Sequence, residues 1–407
     1  MILKDTQMKK IIIVTGILFC AINASGQKIA ENILKARALT EAGKPGLAIG
    51  ILNTAITTAK ESRLYIERAE ANIAEGNYSG AISDFNEANK LDPSSGEYGL
   101  AKIYALKGDA STSLYHLEAH LKSSFKKAEK VIMLDSAFRT IENRSEWRQF
   151  WKKEWYNLTE KGISEIEYYL SEGKIDESKE VLSEIRKNYP DDDDILYAES
   201  LINLSSGKYA EVIKTMTGLL ASDPGNEKYL RVLANAQTGL PNPAGASVTY
   251  SQLIDSDVAD AGLYILRAGC YKKTGETDKA IADINKYLEI YPDDRNANSI
   301  AGQLESLSGD NLKALEYFSR NLKLHPNDPQ CYIDRGNSYL MSKSWDWAIK
   351  DYSMSLDLAP SNSDVWLNKG IALLNSGNVE DACHDFRKAL SLGNKRAVDY
   401  VSNNCIK

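Results

Sequence analysis

The chain is short of the residues that usually carry chemistry. Its 407 residues hold only four His and five Cys. It contains no G-x-S-x-G, P-loop, G-x-G-x-x-G or C-x-x-C pattern, the short motifs that position a nucleophile, cradle a phosphate or pair two thiols. No His falls in a recognisable triad context, so no residue is nominated as a nucleophile. The expectation is a non-catalytic protein without a cofactor. Positive charge is also scarce, with 49 Lys and Arg against 56 Asp and Glu, a net charge of -7 and no long basic run. That argues against nucleic acid as the partner, because phosphate neutralisation needs clustered Lys and Arg. Long apolar runs are absent except for the twelve residues Ile11 to Ile22, too few to span a bilayer as a helix. What remains is ordinary for a folded chain: 43% hydrophobic and 26% charged residues.

The one apolar run belongs to a secretory signature. Lys4, Lys9 and Lys10 precede it, and Ala24-Ser25-Gly26 follow it as a small-residue cleavage site. Residues 1–26 are therefore expected to be a signal peptide, with Met8 as a second candidate start. The mature chain, of charge about -9, is then exported: periplasmic or extracellular, or held at the envelope without an integral span. Cys20 invites a lipoprotein reading, but Phe19 stands where a small residue is usual, and an ordinary apolar position in the signal is preferred.

Internal periodicity decides the fold. Stretches beginning at Asp193, Ala261, Arg295, Pro329 and Ser363 align at 34 residues or a multiple of it, and weaker copies fill 159–192 and 227–260. Each copy has two runs of apolar residues at helical spacing. Glycine usually parts them (Gly173, Gly207, Gly275, Gly309, Gly377) and proline usually ends them (Pro190, Pro224, Pro292, Pro326, Pro360). Small residues recur at Ala268, Gly302, Gly336 and Gly370 in the first helix, where close backbone approach is expected. Others recur at Ala280, Ala314, Ala348 and Ala382 in the second, each with a large residue four later.

Tyr332, Arg335, Gly336, Tyr339, Ala348, Tyr352 and Pro360 form the best single copy. The pattern resembles the tetratricopeptide repeat family. Further copies occupy 29–61, 62–93 and, degenerate, 94–127. The resemblance implies an all-α, right-handed α-solenoid of about ten helix pairs. The organisation is then a signal at 1–26, a block of about three repeats at 27–127 and an aromatic junction at 128–158, followed by seven repeats at 159–394 and a capping helix at 395–407. One pair cannot bury its apolar stripe alone, so neighbours must stack.

Several constellations admit two readings. A base and an acid sixteen residues apart occur together in four copies, as Arg68 with Asp84, Arg267 with Asp283, Arg335 with Asp351 and Lys369 with Asp385. Structural ion pairs explain them better than a site does. His116 and His120 have a spacing that can hold zinc, but Leu117 stands where a metalloprotease helix needs Glu, and no metal is expected. Asp191 to Asp194 lack the Gly turn of a calcium loop and read as a helix start. Trp147, Trp151 and Trp155 fall at i, i+4 and i+8 of one helix. They read either as a plug between two repeat blocks or as an anchor for a partner.

In tetratricopeptide superhelices the first helix of each pair lines the concave face. Arg231, Asn235, Gln303 and Asn337 are the groove candidates, the three amides being an exposed ladder able to pair with a peptide backbone. Arg231 and Asn235 also match the opening of a carboxylate clamp, which Leu266, Asn296 and Ile300 then fail. The resemblance therefore implies a scaffold binding a protein or peptide. A glycan- or cell-wall-associated accessory, with Tyr197 as its groove aromatic, is the alternative, and an undetected hydrolase a more distant one. Finally, Cys383 lies about ten residues before the Gly393-Asn394 turn and Cys405 about eleven after it. Antiparallel packing brings the two level, and a disulfide is expected.

Overall fold

The computed structural model describes residues 29–188 and 192–405. The signal segment with Cys20, together with Pro190 and Asp191, lies outside the described residues. Among those described, all regular structure is helical. Contacts divide the chain into two compact units, meeting between Leu263 and Tyr264.

The first unit holds helix pairs α1 (29–41) and α2 (Pro45–Thr58), α3 (Ser62–Ala74) and α4 (Tyr78–Leu91), α5 (Glu97–Leu106) and α6 (Ala110–Leu121). After them come two short helices, α7 (Glu129–Leu134) and α8 (Ser145–Phe150), separated by a 3-10 turn at Ser136–Thr140. Pairing resumes with α9 (Leu158–Ser171) and α10 (Ile175–Asn188), α11 (Asp193–Ser205) and α12 (Tyr209–Ser222), α13 (Glu227–Gly239) and α14 (Pro243–Asp255). The second unit carries α15 (Gly262–Thr274) and α16 (Thr277–Ile290), α17 (Arg295–Ser308) and α18 (Asn311–Leu324), α19 (Pro329–Met341) and α20 (Trp345–Leu358), α21 (Ser363–Asn375) and α22 (Val379–Ser391), and the last helix α23 (Ala397–Asn404). Helices pack against their pair partner and then against the next pair, as α19 does with α20 and α20 with α21. The fold is an α-solenoid.

Three columns of the repeat explain why it folds this way. The first fixes the helix starts. Asp192, Asn226, Asp260, Asp294, Asp328 and Asn362, each 34 residues from the next, all accept a backbone N–H from the first turn of the following helix. Each such cap satisfies an otherwise orphaned donor and is worth about 1 kcal/mol. The second column sets the turn inside each pair. Gly173, Gly207, Gly275, Gly309 and Gly377 all have positive φ, as anticipated. Lys343 takes the same left-handed conformation at the equivalent place in the copy that lacks glycine. Pro241 stands there in α13–α14. Its ring excludes positive φ, yet α13 still ends at Gly239 and α14 starts at Pro243, each 34 residues after the matching bounds of α11 and α12.

The third column corrects the reading of the small residues. They do not admit a neighbouring backbone so much as an aromatic ring. A Cβ on Gly302 would lie 2.5 Å from Phe318, one on Gly336 2.8 Å from Tyr352, and one on Gly370 2.6 Å from Phe386. Those three rings are among the most buried side chains in the chain.

At its C-terminus the second unit is covered by α23. Ala397 is fully buried, and Tyr400 and Val401 pack on the cluster around Leu367, Phe386 and Ala389. Cys383 and Cys405 are joined by a disulfide with Cα atoms 5.5 Å apart. Cys270 and Cys331 are buried free thiols.

Candidate protein-binding groove

The four base–acid pairs all form, each between the two helices of a single copy. Arg68, Arg267 and Arg335 meet Asp84, Asp283 and Asp351 with two hydrogen bonds apiece. Lys369 meets Asp385 at 3.2 Å. The carboxylates are buried, so these are internal ties and not surface pairs. That leaves the remaining first-helix positions to define any binding face.

In the second unit two of the three ladder residues line one cavity of about 250 Å³ between α17 and α19. Gln303 is exposed. Its Nε2 donates to Ser299 at 3.3 Å and its Oε1 accepts from Lys272 at 3.4 Å, bonds long enough to be exchanged for a ligand's. Leu307 and Met341, equivalent positions one repeat apart, are 59% and 58% exposed beside it. Asp334 forms the floor, held by Ser299 at 2.5 Å and Gln330 at 2.8 Å. Asn337 departs from the expectation of an exposed, uncommitted amide. It is half-buried, and its Oδ1 accepts from the hydroxyl of fully buried Tyr352 at 2.8 Å and from Asn368 at 3.3 Å. Only its Nδ2 lacks a protein partner. Burial and the neighbouring Asp351 carboxylate push the Tyr352 phenol above its usual pKa, so it remains a donor. Sequence reading chose Gln303 and Asn337 but passed over Leu307 and Met341, the apolar half of the cavity. An apolar residue recurring at the thirteenth position of two first helices was the available signal.

The first unit treats its candidates differently. Asn235 is exposed. Arg231 is already engaged, by Glu227 at 2.8 Å and Asp260 at 2.9 Å, which removes it from a carboxylate clamp. It borders a larger cavity of about 640 Å³ whose far wall includes Arg37 and Arg63 of the first two repeats. Arg63 bonds both the side chain and the carbonyl of Asp257, the latter at 2.9 Å, and Arg37 reaches the carbonyl of Ala259 at 3.1 Å. Contacts across some two hundred residues leave no trace in a local pattern. Tyr197 is not a groove platform. Its ring is buried 6.0 Å from that of Tyr229, and burial raises its phenol pKa to about 12.

The tryptophan stripe is also corrected. The helix stops at Phe150, so Trp147, Trp151 and Trp155 do not share one helix. The indole N–H of Trp155 donates to the Phe150 carbonyl at 3.0 Å, closing the helix end that a longer helix would continue. Trp147 is buried, and Trp151 and Trp155 are half-buried against the cluster formed by Leu117, Ile132, Phe138 and Ile141. All three contribute to a core on the third repeat. His120 is buried with its Nε2 accepting the Lys127 N–H at 3.1 Å, while His116 pairs with Glu97 at 2.7 Å. The two histidines thus point to separate partners.

No curated protein matches the chain. Among solved structures, a tetratricopeptide repeat protein from Parabacteroides merdae is 21% identical. The match covers 60% of this chain and 97% of that one, with a TM-score of 0.46. MamA is 20% identical over 41% of this chain and 92% of its own, with a TM-score of 0.37. YrrB, described as a TPR protein with an unusual peptide-binding site, is 17% identical over 46% of this chain and 97% of its own, with a TM-score of 0.38. The tetratricopeptide repeat profile matches residues 62–95, 261–294 and 363–394, three of the four copies that carry the buried ion pair. The chain thus carries tetratricopeptide repeats.

Proposed function

We propose that the chain is an exported, non-catalytic scaffold that holds an extended segment of another protein in the groove between α17 and α19. The observation that carries the reading is the pairing of exposed apolar side chains, Leu307 and Met341, with the weakly held amide of Gln303 in one cavity. An extended peptide offers alternating side chains and backbone amides. The apolar walls suit the first, and the carboxamide suits the second because it donates and accepts together. Lys272 beside Gln303 and Asp334 at the floor add polarity that fixes direction. The glycan reading rested on Tyr197 as a stacking platform, and that ring is buried.

Replacing Leu307 and Met341 by Ser and Gln303 by Ala should weaken capture of the partner about tenfold or more, at the scale of a lost hot spot, with little change in thermal midpoint. Unaltered capture by the triple variant overturns the groove assignment. Export rests on the basic, apolar and small-residue segments of residues 1–26. Mass spectrometry of the native N-terminus should find Gln27 first. A chain that retains Met1 or Met8 contradicts export.

A further inference from the structure

On α7 the usual amphipathic arrangement is inverted. Ile132 is fully buried, whereas Val131, Met133 and Leu134 are 50%, 42% and 70% exposed. At about 100° per residue, an inward Ile132 directs Leu134 and Lys130 straight outward and leaves Val131 and Met133 on the flanks. Lys127, just before the helix, is exposed, and so is Phe125 at 38%. Tyr168 of α9, 46% exposed, stands beside the Lys130 ammonium, 5.7 Å from ring centre to nitrogen. The outward line of this surface is therefore shared by Leu134 and Lys130, with Val131 and Met133 on its flanks and Tyr168 beside Lys130.

The segment that carries this face is basic where the chain as a whole is acidic. Residues 122–158 carry nine Lys or Arg against five Asp or Glu, in a protein of net charge -7. The neighbouring acids are turned to partners of their own or drawn inward, away from the outward Lys127 and Lys130. Asp135 is engaged by the Tyr98 hydroxyl at 2.8 Å and the Ala137 amide at 3.0 Å, Glu160 is engaged by Lys126 at 2.7 Å, and Glu129 is half-buried.

We propose that this face docks the protein on an anionic lipid surface. Leu134, Val131 and Met133 enter the acyl boundary, Lys127 and Lys130 meet the headgroups, and Tyr168 sits at the interface, where amphipathic rings are favoured. A second copy of the chain is a poorer occupant, because a symmetric contact would set lysine against lysine. The face is separate from the α17–α19 groove, and the proposal does not depend on it.

The test is vesicle flotation of the full mature chain with phosphatidylglycerol-containing and pure phosphatidylcholine vesicles. Binding is expected only to the anionic vesicles and should fall about tenfold in high salt. It should fall at least as far in K127E/K130E and in V131D/L134D. Both pairs lie on exposed positions, and circular dichroism should show unchanged helicity. Absence of flotation with anionic vesicles, equal flotation with neutral ones, or full binding by either variant overturns the proposal. A wild-type chain that ignores vesicles but captures an acidic protein through Lys127 and Lys130 also overturns it.

Discussion

Arg335 holds Asp351 by two hydrogen bonds, Nε to Oδ2 and Nη2 to Oδ1, both 2.7 Å. The carboxylate side chain is only 3% exposed and the guanidinium 24%. The two partners are therefore unequal. Removing the arginine strands a buried charge, which typically costs about 3–5 kcal/mol. Removing the acid frees a group that reaches water. Denaturant unfolding should show Arg335→Met to be more destabilising than Asp351→Asn. Arg335→Lys should lose only about 1 kcal/mol, because Lys369 already plays this part against Asp385. Equal losses for the three variants would mean that the pair is not the tie described.

Gly370 and Gly269 should respond to alanine with opposite signs. Both are helical, and alanine favours a helix by about 1 kcal/mol over glycine. Nothing lies within 4 Å of a Cβ on Gly269, but one on Gly370 would press on the fully buried Phe386 and come within 3.3 Å of the Ala382 carbonyl. Overpacking of about 1–3 kcal/mol outweighs propensity there. Thermal melts should rise for Gly269→Ala and fall for Gly370→Ala.

His120 should make the fold acid-sensitive. Burial, with a smaller contribution from the nearby Lys127 charge and some opposition from Glu97, lowers its pKa to about 4 from an ordinary 6.5. The unfolded chain therefore binds the proton more readily than the folded one. Stability due to neutral His120 is complete above pH 6.5 and is lost as pH falls toward 4, at most about 3 kcal/mol. Urea titrations across this window should show His120→Gln with a shallower pH dependence than the wild type. Identical slopes would remove His120 from the account.

Cys405→Ser should loosen α23 selectively. The bond to Cys383 closes a loop of sequence separation 22, for which the constraint on the unfolded chain is about 3 kcal/mol. Hydrogen exchange should speed up in Ala397–Asn404 more than in α19 or α20. A free thiol at Cys405 in the native protein would contradict the bond itself.

Much of this was legible because a solenoid repeats its own evidence. One base and one acid sixteen apart mean little, but their joint presence in four copies points to the tie between Arg335 and Asp351. The same holds for the turn glycines, whereas the cysteine pair is legible from its even spacing about the Gly393 turn. The column of Asp and Asn caps, from Asp192 to Asn362, is equally regular in the sequence, although only its first member, within Asp191 to Asp194, reads as a helix start on its own. The errors lie where the repeat lapses or where contacts are distant. The 147–155 spacing imitates a helix that the Trp155–Phe150 hydrogen bond ends early. Tyr197 looked like a groove residue because the covering ring of Tyr229 belongs to the next copy. Asn337 looked free because its partner, the Tyr352 hydroxyl, lies across the pair. The link from Arg63 to Asp257 spans 194 residues and has no local signature.

The proposed occupant of the α17–α19 groove is a segment of another protein. A photo-crosslinking amino acid at Leu307, irradiated in intact cells, tests it most directly. Leu312 on α18, 79% exposed, serves as the control outside the cavity. The account predicts a discrete protein adduct from position 307 that is absent at 312 and is lost when Met341 and Gln303 are also replaced. No adduct at 307, or the same adduct from both positions, would contradict it.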